Sequence, residues 1–97
     1  MIRHIAMMRF VDGTTDEQIQ AVSDGVATLP GLIPEIVAYE AGSDLGLSDS
    51  NYDFAVVGDF ASERDYEAYS IHADHVAVID MFIRPIVDTV QRVQFAF

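Results

Sequence analysis

Residues Ile2 to Phe10 alternate between apolar and polar positions, which is typical of a strand. One face carries Ile2, His4, Ala6, Met8 and Phe10, and the other carries Arg3, Ile5, Met7 and Arg9. Tyr52 to Phe60 alternates in the same way, with Phe54, Val56 and Phe60 on one face and Asp53, Ala55, Val57 and Asp59 on the other. Ile36 to Ala41 and Val87 to Phe97 are predicted as two further strands. Residues 42 to 51, rich in Gly, Ser and Asp, are predicted as a loop.

Two stretches predict helices. The pairs Thr14/Glu17 and Thr15/Gln18 both have the spacing of a capping box, and an apolar stripe follows them. That stripe is Ile19, Val22, Val26 and Leu29, and Pro30-Gly31 is expected to end the helix. A second helical region begins at Ser62, which is followed by Asp65 at the capping-box position. It runs towards Arg84, with a break expected near His72-Ala73-Asp74 and an end or kink at Pro85.

The order of elements is therefore β-α-β-β-α-β. With short connections it predicts an α+β fold, a four-stranded antiparallel sheet with both helices on one face. The face without arginine or aspartate should meet the helices. The other face carries Ile5, Met7, Ala55 and Val57 and would stay exposed in a monomer, so we expect a homodimer joined sheet to sheet. Arg3 and Arg9 could pair there with Asp53 and Asp59.

Composition narrows the class of protein. The 97 residues, 51% of them hydrophobic, predict a single domain spanning 1–97. There is no cysteine and no apolar run long enough for a membrane span, so we expect a cytoplasmic protein that does not enter a membrane. The net charge of −11 argues against binding to nucleic acid or anionic lipid.

Candidate chemistry is concentrated in residues 65 to 75, which hold Tyr66, Tyr69, His72 and His75. His4 lies on the strand face assigned to the helices and can approach this stretch from below. An imidazole and a phenol beside one pocket can move protons at neutral pH. The plainer interpretation is that His4 is a core histidine, that the tyrosines only pack, and that His72 ends a helical turn.

Other kinds of site have less support. His4, His72, Asp74 and His75 offer ligand atoms for a metal, but His72 and His75 are not the i, i+4 pair of helical zinc sites. No serine has a nucleophile-elbow context and no glycine-rich phosphate loop is present. We therefore expect neither a metal nor another cofactor.

Taken together, several short motifs resemble the stress-responsive A/B barrel (Dabb) family of the dimeric α+β barrel superfamily. The match runs nearly end to end and rests on the segments Ile2-Arg3-His4-Ile5, Gly13-Thr14-Thr15, Leu29-Pro30-Gly31-Leu32-Ile33-Pro34, Asn51-Tyr52-Asp53-Phe54-Ala55, Tyr66…Tyr69…His72…His75 and Ile83-Arg84-Pro85. The resemblance implies a ferredoxin-like monomer and a homodimer whose two sheets form a barrel. That agrees with the strands that are apolar on both faces.

The resemblance also implies a site. Plant polyketide cyclases similar to this family close a linear poly-β-ketone by aldol chemistry with a tyrosine and the second histidine of a His-x-x-His segment. Those positions match Tyr69 and His75, and the histidine of the first strand matches His4. His75 would be the general base, and Tyr69 would position or polarise a carbonyl oxygen.

The pocket would lie between helices and sheet, and we expect Tyr66, His72, Met8 and Phe54 to contribute to it. This chain departs from the usual His-Pro-x-His motif, because Ala73 replaces the proline and Asp74 precedes His75. A carboxylate there could raise the histidine pKa or merely face solvent.

Three functions remain open. The first is binding of a small aromatic or polyketide-like compound with acid–base cyclase or isomerase activity. The second is a non-catalytic dimeric binding protein of the stress response that holds a small apolar ligand. The third, with least support, is a cofactor-free oxygenase, for which no motif beyond the shared architecture speaks.

Overall fold

The computed structural model describes residues 1–97 and has the predicted order of strands and helices. The strands are β1 (Ile2–Phe10), β2 (Ile36–Ser43), β3 (Phe54–Phe60) and β4 (Val87–Ala96). The helices are α1 (Asp16–Ala27), α2 (Leu29–Leu32), α3 (Glu63–Ile71) and α4 (Ala73–Val78), followed by a π-helical segment, Ile79–Ile83. All strand pairs are antiparallel, and the order across the sheet is β2-β3-β1-β4. This is the ferredoxin-like arrangement.

The hydrophobic core lies between the helices and the face of the sheet that carries no arginine or aspartate. Met8, Phe10, Phe54, Val56 and Phe60 are all buried there. Val22, Val26 and Leu29 cover them from the helical side, as the apolar stripe predicts. The assignment of the two faces is thus confirmed for β1 and β3.

Capping chemistry explains where the helices begin. Of the two candidate boxes, the chain uses Thr15 and Gln18: Gln18 N donates to Thr15 Oγ1 at 3.2 Å, and Thr15 N donates to Gln18 Oε1 at 2.9 Å. Ser62 caps α3 by accepting from Asp65 N at 3.2 Å. α1 ends at Ala27, before the predicted stop at Pro30-Gly31. Those two residues lie inside the short helix α2, where Pro30 occupies the first turn, a position that suits proline.

The outward face of the sheet carries one of the two expected ion pairs. Arg3 donates twice to Asp59, at 2.8 and 3.0 Å. The pairing of Arg9 with Asp53 is wrong, because the Asp53 carboxylate accepts from Phe10 N at 2.8 Å where β1 ends. Arg9 instead donates to Ser50 O and lies 4.6 Å from the centre of the Tyr52 ring.

None of the helices is both long enough and apolar enough to cross a membrane.

Candidate active site

A cavity of about 460 Å³ lies between the sheet and the second half of the helical layer. Of its 17 lining residues, 12 are hydrophobic, so a ligand of small to moderate size and largely apolar surface would fit. The polar groups are few and lie close together. The lining includes His4, Ala6, Met8, Val26, Tyr39, Val56, Tyr66, Tyr69, Ser70, His75, Val78, Ile79, Ile83, Arg84, Val87, Val90 and Arg92.

One row of residues across the sheet forms the floor beneath the polar end of the cavity. Gln94 of β4 pairs with His4 of β1, which pairs with Gly58 of β3, which pairs with Tyr39 of β2. Gly58 leaves room for aromatic rings, since a Cβ there would lie 3.1 Å from Tyr39 Cδ1 and from Phe60 Cε2. A side chain at position 58 would therefore crowd the rings of Tyr39 and Phe60, and glycine avoids that contact.

Tyr39 is a site residue that the sequence pattern did not reveal. Strict alternation from Ile36 would place Tyr39, three residues on, on the outward face. The register shifts between Ile36 and Ala38, so that Val37 is the extra residue of a bulge and is 59% exposed. The bulge restores Tyr39 to the inward face, and a bulge of this kind leaves no clear signal in the sequence.

α3 supplies the two tyrosines predicted for the site. Tyr69 is 2% exposed, and its hydroxyl makes a 2.7 Å hydrogen bond with the hydroxyl of Tyr39. Burial raises the pKa of both phenols, so both keep their protons at neutral pH. Because the bond between them uses only one of two hydroxyl hydrogens, the other stays available to a ligand. Tyr66 lies beside them, its ring centre 4.9 Å from that of His4.

His75 stacks on Tyr69, with ring centres 4.2 Å apart and an angle of 28° between the planes. His75 Nδ1 lies 3.1 Å from Ser70 O, and a carbonyl oxygen can only accept, so Nδ1 carries the proton. Nε2 then has a free lone pair. No group of the chain bonds Nε2, and His75 lines the cavity, so Nε2 is free to bond a ligand there.

Burial lowers the pKa of His75 and outweighs the backbone hydrogen bond to Ser70, which raises it; the charge of Arg92 adds a smaller lowering. The imidazole is therefore neutral at pH 7 and can accept a proton at Nε2. Asp74 does not raise the pKa of His75: its carboxylate lies on the side of His72, 3.7 Å from His72 Nδ1.

His4 is 5% exposed and is the one buried residue with a titratable side chain on the sheet. Its Nδ1 accepts from Gln94 Nε2 at 2.9 Å, which places the proton of the neutral ring on Nε2. Burial, with a contribution from Arg92, lowers the pKa of His4 to about 4. The cavity therefore contains two neutral imidazoles in opposite tautomers, one presenting a lone pair and the other an N–H.

Two predicted pocket residues lie elsewhere. His72 does not line the cavity, because the helical region breaks at this residue (φ −60°, ψ 136°) and its Nδ1 accepts from Asp74 N at 3.1 Å as the N-cap of α4. Phe54 is 2% exposed and belongs to the core rather than to the cavity wall. Met8 lines the cavity as expected. Ala73 is the first residue of α4, a position that suits proline or alanine equally.

The alternative of a metal site finds no cluster to support it. No three side chains of His, Asp or Glu lie close enough to hold one ion. Of the four candidate ligands, His72 is engaged as a helix cap, and His4 and His75 each have one ring nitrogen in a hydrogen bond.

The chain has clear relatives among known proteins. The model of the stress responsive A/B barrel domain (Dabb) family matches residues 2–97. The stress-response A/B barrel domain-containing protein HS1 of Arabidopsis thaliana is 26% identical over 84 residues, which cover 84% of this chain and 77% of that protein.

Solved structures show the same fold. A dimeric ferredoxin-like protein of unknown function from Thermobifida fusca is 44% identical, with a TM-score of 0.91 over 99% of this chain and 90% of its own. A hydroxynitrile lyase from Passiflora edulis has a TM-score of 0.84 over 99% of this chain and 92% of its own, but is only 19% identical. The latter likeness shows the fold alone.

Proposed function

The chain belongs to the stress-responsive A/B barrel domain family, and from that membership we propose that it is a homodimer that binds a small aromatic or polyketide-like carbonyl compound and moves a proton next to the carbonyl group. This is the chemistry of a cyclase or isomerase. The observation that carries the proposal is the accessible Nε2 of His75 in a largely apolar cavity.

Each polar group has a role in such a step. His75 Nε2 takes a proton from the carbon adjacent to the carbonyl, and electron density moves to the carbonyl oxygen. The free hydroxyl hydrogen of the Tyr39–Tyr69 pair, whose oxygens lie 2.7 Å apart, donates to that oxygen. His4 Nε2–H offers a second donor from the floor of the cavity. In a cyclase, the enolate carbon then bonds to a second carbonyl carbon, and the oxygen of that carbonyl takes the proton from His75. In an isomerase, the enolate takes that proton back at another carbon.

The low pKa of His75 suits this role. A base must be unprotonated to act, and the apolar surroundings favour the neutral imidazole at neutral pH. Ser70 O fixes the ring through Nδ1, which is the orienting partner that the sequence did not identify.

The outward face of the sheet supports the homodimer. Met7, Val93 and Phe95 are 40, 52 and 43% exposed, and together with Ile5 and Val57 they form an apolar surface on the sheet. The Arg3–Asp59 pair lies beside it, and the Arg3 guanidinium is 4.4 Å from the centre of the Phe97 ring. The relative from Thermobifida fusca is described as dimeric.

Exchange of hydrogen for deuterium next to a ketone tests the proposal without knowledge of the natural substrate. An aryl ketone such as propiophenone is incubated in D₂O, and loss of its α-methylene signal is followed by proton NMR. We expect the protein to accelerate exchange and His75→Ala to slow it by about 100-fold or more. Ile71→Ala, which alters an 80% exposed side chain outside the cavity, is the control and should retain most of the acceleration.

The alternative outcome distinguishes the second candidate. If aryl ketones bind with no acceleration of exchange, and His75→Ala binds them equally well, the protein is a binding protein without this chemistry. The single observation favouring that candidate is that His75 is oriented by a backbone carbonyl rather than by a carboxylate.

A further inference from the structure

The charge lining the cavity is opposite to that of the protein as a whole. The chain has 16 acidic residues against five arginines. No aspartate or glutamate lines the cavity, whereas Arg84 and Arg92 do. A cation that lines a cavity and has no carboxylate partner in the chain can pair with an anionic group of a ligand.

The two arginines of the cavity differ in their partners. Arg84 donates to Asp80 at 2.9 and 2.7 Å, so its charge is matched within its own helical turn. Arg92 has neither an ion pair nor a side-chain hydrogen bond in the chain. Arg3 and Arg9 are engaged on the outward face, by Asp59 and by Ser50 O.

The sheet register fixes where Arg92 lies. It pairs with Ala6, whose side chain is buried on the inward face, and it is one inward position from the row that holds His4 and Gln94. Arg92 as a residue is exposed and also lines the cavity, which places it at the side of the cavity that is open to solvent. Its charge reaches the site, because it lowers the pKa of both His4 and His75.

From this arrangement we infer that the ligand carries a carboxylate, which pairs with Arg92 at the cavity mouth while its apolar body lies among the buried side chains. A guanidinium donates two parallel hydrogen bonds to a carboxylate, and this geometry orients the ligand as well as binding it. The inference rests on the proposed function, since it names the substrate class of the same cavity. Arg92 is thus a specificity residue, and the carbonyl group of the ligand is held away from it, towards His75 and the two tyrosines.

Two isosteric probes test the inference. Binding of 2-naphthoate and 2-naphthamide is measured by isothermal titration calorimetry at one ionic strength, and the perturbed residues are identified by NMR. We expect wild-type protein to bind the carboxylate about tenfold more tightly than the amide. Arg92→Gln should remove the preference by weakening the carboxylate alone, and Arg92→Lys should retain part of it. Arg64→Gln is the matched control, because Arg64 is exposed on α3, lacks an ion pair and lies outside the cavity.

The outcomes separate this inference from the proposed function. Equal binding of both probes, with His75 signals perturbed, overturns the carboxylate and leaves the cavity as the binding site. An equal loss in Arg92→Gln and Arg64→Gln assigns the preference to general surface charge and also overturns it. If neither probe perturbs His75 or Tyr69, the proposed function fails together with the inference.

A separate readout reports on the charge of Arg92 without any ligand. Arg92→Gln should raise the pKa of His4 and of His75, because the guanidinium charge lowers both. Unchanged pKa values would show that the charge of Arg92 does not reach the site, and that result would contradict the inference.

Discussion

The hydrogen bond between Tyr39 and Tyr69 permits a quantitative test of the site. Its oxygens are 2.7 Å apart, Tyr69 is buried, and Tyr39 is half-buried. A hydrogen bond of this kind contributes about 1 kcal/mol net, and a buried hydroxyl left without its partner costs about 1–3 kcal/mol. Tyr39→Phe and Tyr69→Phe should therefore each lower the free energy of unfolding by about 1–2 kcal/mol.

The double variant reveals whether the two hydroxyls act together. Removal of both leaves no unpaired hydroxyl, so Tyr39→Phe/Tyr69→Phe should cost about as much as one single variant, with a coupling energy of about 1 kcal/mol. Urea unfolding at one fixed protein concentration measures all four proteins, since the stability of a dimer depends on concentration. Tyr52→Phe is the control, because its hydroxyl makes no hydrogen bond within the chain, and its effect should stay within about 0.5 kcal/mol.

Additive effects would refute the reasoning. If the losses from the single variants sum to the loss in the double variant within about 0.3 kcal/mol, the two hydroxyls do not interact in solution. The site would then lack the polarised pair that is proposed to receive the carbonyl oxygen. A double variant less stable than that sum would point to a packing change instead.

Three further predictions follow from single side chains. The native state keeps His4 neutral down to about pH 4, whereas an unfolded histidine binds a proton below about pH 6.5. The contribution of His4 to the free energy of unfolding is therefore fully present above pH 6.5 and is lost as the pH falls towards 4. In urea unfolding, wild-type protein should lose about 3 kcal/mol more stability than His4→Gln between pH 7 and pH 4. Equal losses would contradict the burial of His4. Met7→Asp should convert the dimer to a monomer in sedimentation, while Ile71→Asp, an 80% exposed position on the helical side, should not; a Met7→Asp dimer would place the interface elsewhere. His72→Ala should destabilise the protein by about 1 kcal/mol through loss of the α4 cap, and His72→Asn should restore the stability; an alanine variant as stable as wild type would show that the imidazole does not cap Asp74 N.

Local sequence patterns were sufficient for most of the scaffold. Alternation placed His4 on the inward face, and the capping pair Ser62 and Asp65 located the start of α3. Such signals are readable because each depends on a few neighbouring residues. The apolar outward face was readable as well, since a strand with apolar residues on both sides needs two partners.

The contents of the site depended on two irregularities of the backbone, of which the sequence predicted one, the helix break near His72. The bulge at Val37 brings Tyr39 into the cavity, and alternation alone would have excluded it. The break at His72 acts in two ways: it turns His72 away to cap α4, and it brings His75 onto the Tyr69 ring. In an unbroken helix Tyr69 and His75, which are six residues apart, would point about 120° away from each other.

The second half of β4 was equally hard to interpret, because its inward positions 92 and 94 are polar whereas the earlier inward position, Val90, is apolar. Gln94 and Arg92 face the cavity while Val93 and Phe95 face outward, the reverse of the pattern for a strand over a core. This reversed pattern is the feature of the β4 sequence that indicates the site. It becomes interpretable only once the register with β1 is known.

The tautomers of the two cavity histidines give the most direct test of this account. Nitrogen-15 NMR of the imidazole rings reports which ring nitrogen carries the proton, and a pH series gives each pKa. His75 should be protonated at Nδ1 and His4 at Nε2 at pH 7, and both should titrate below the usual 6.5. His75 protonated at Nε2 would have no lone pair to offer the ligand and would contradict the proposed chemistry, and a His75 pKa above 6.5 would contradict the burial of its ring.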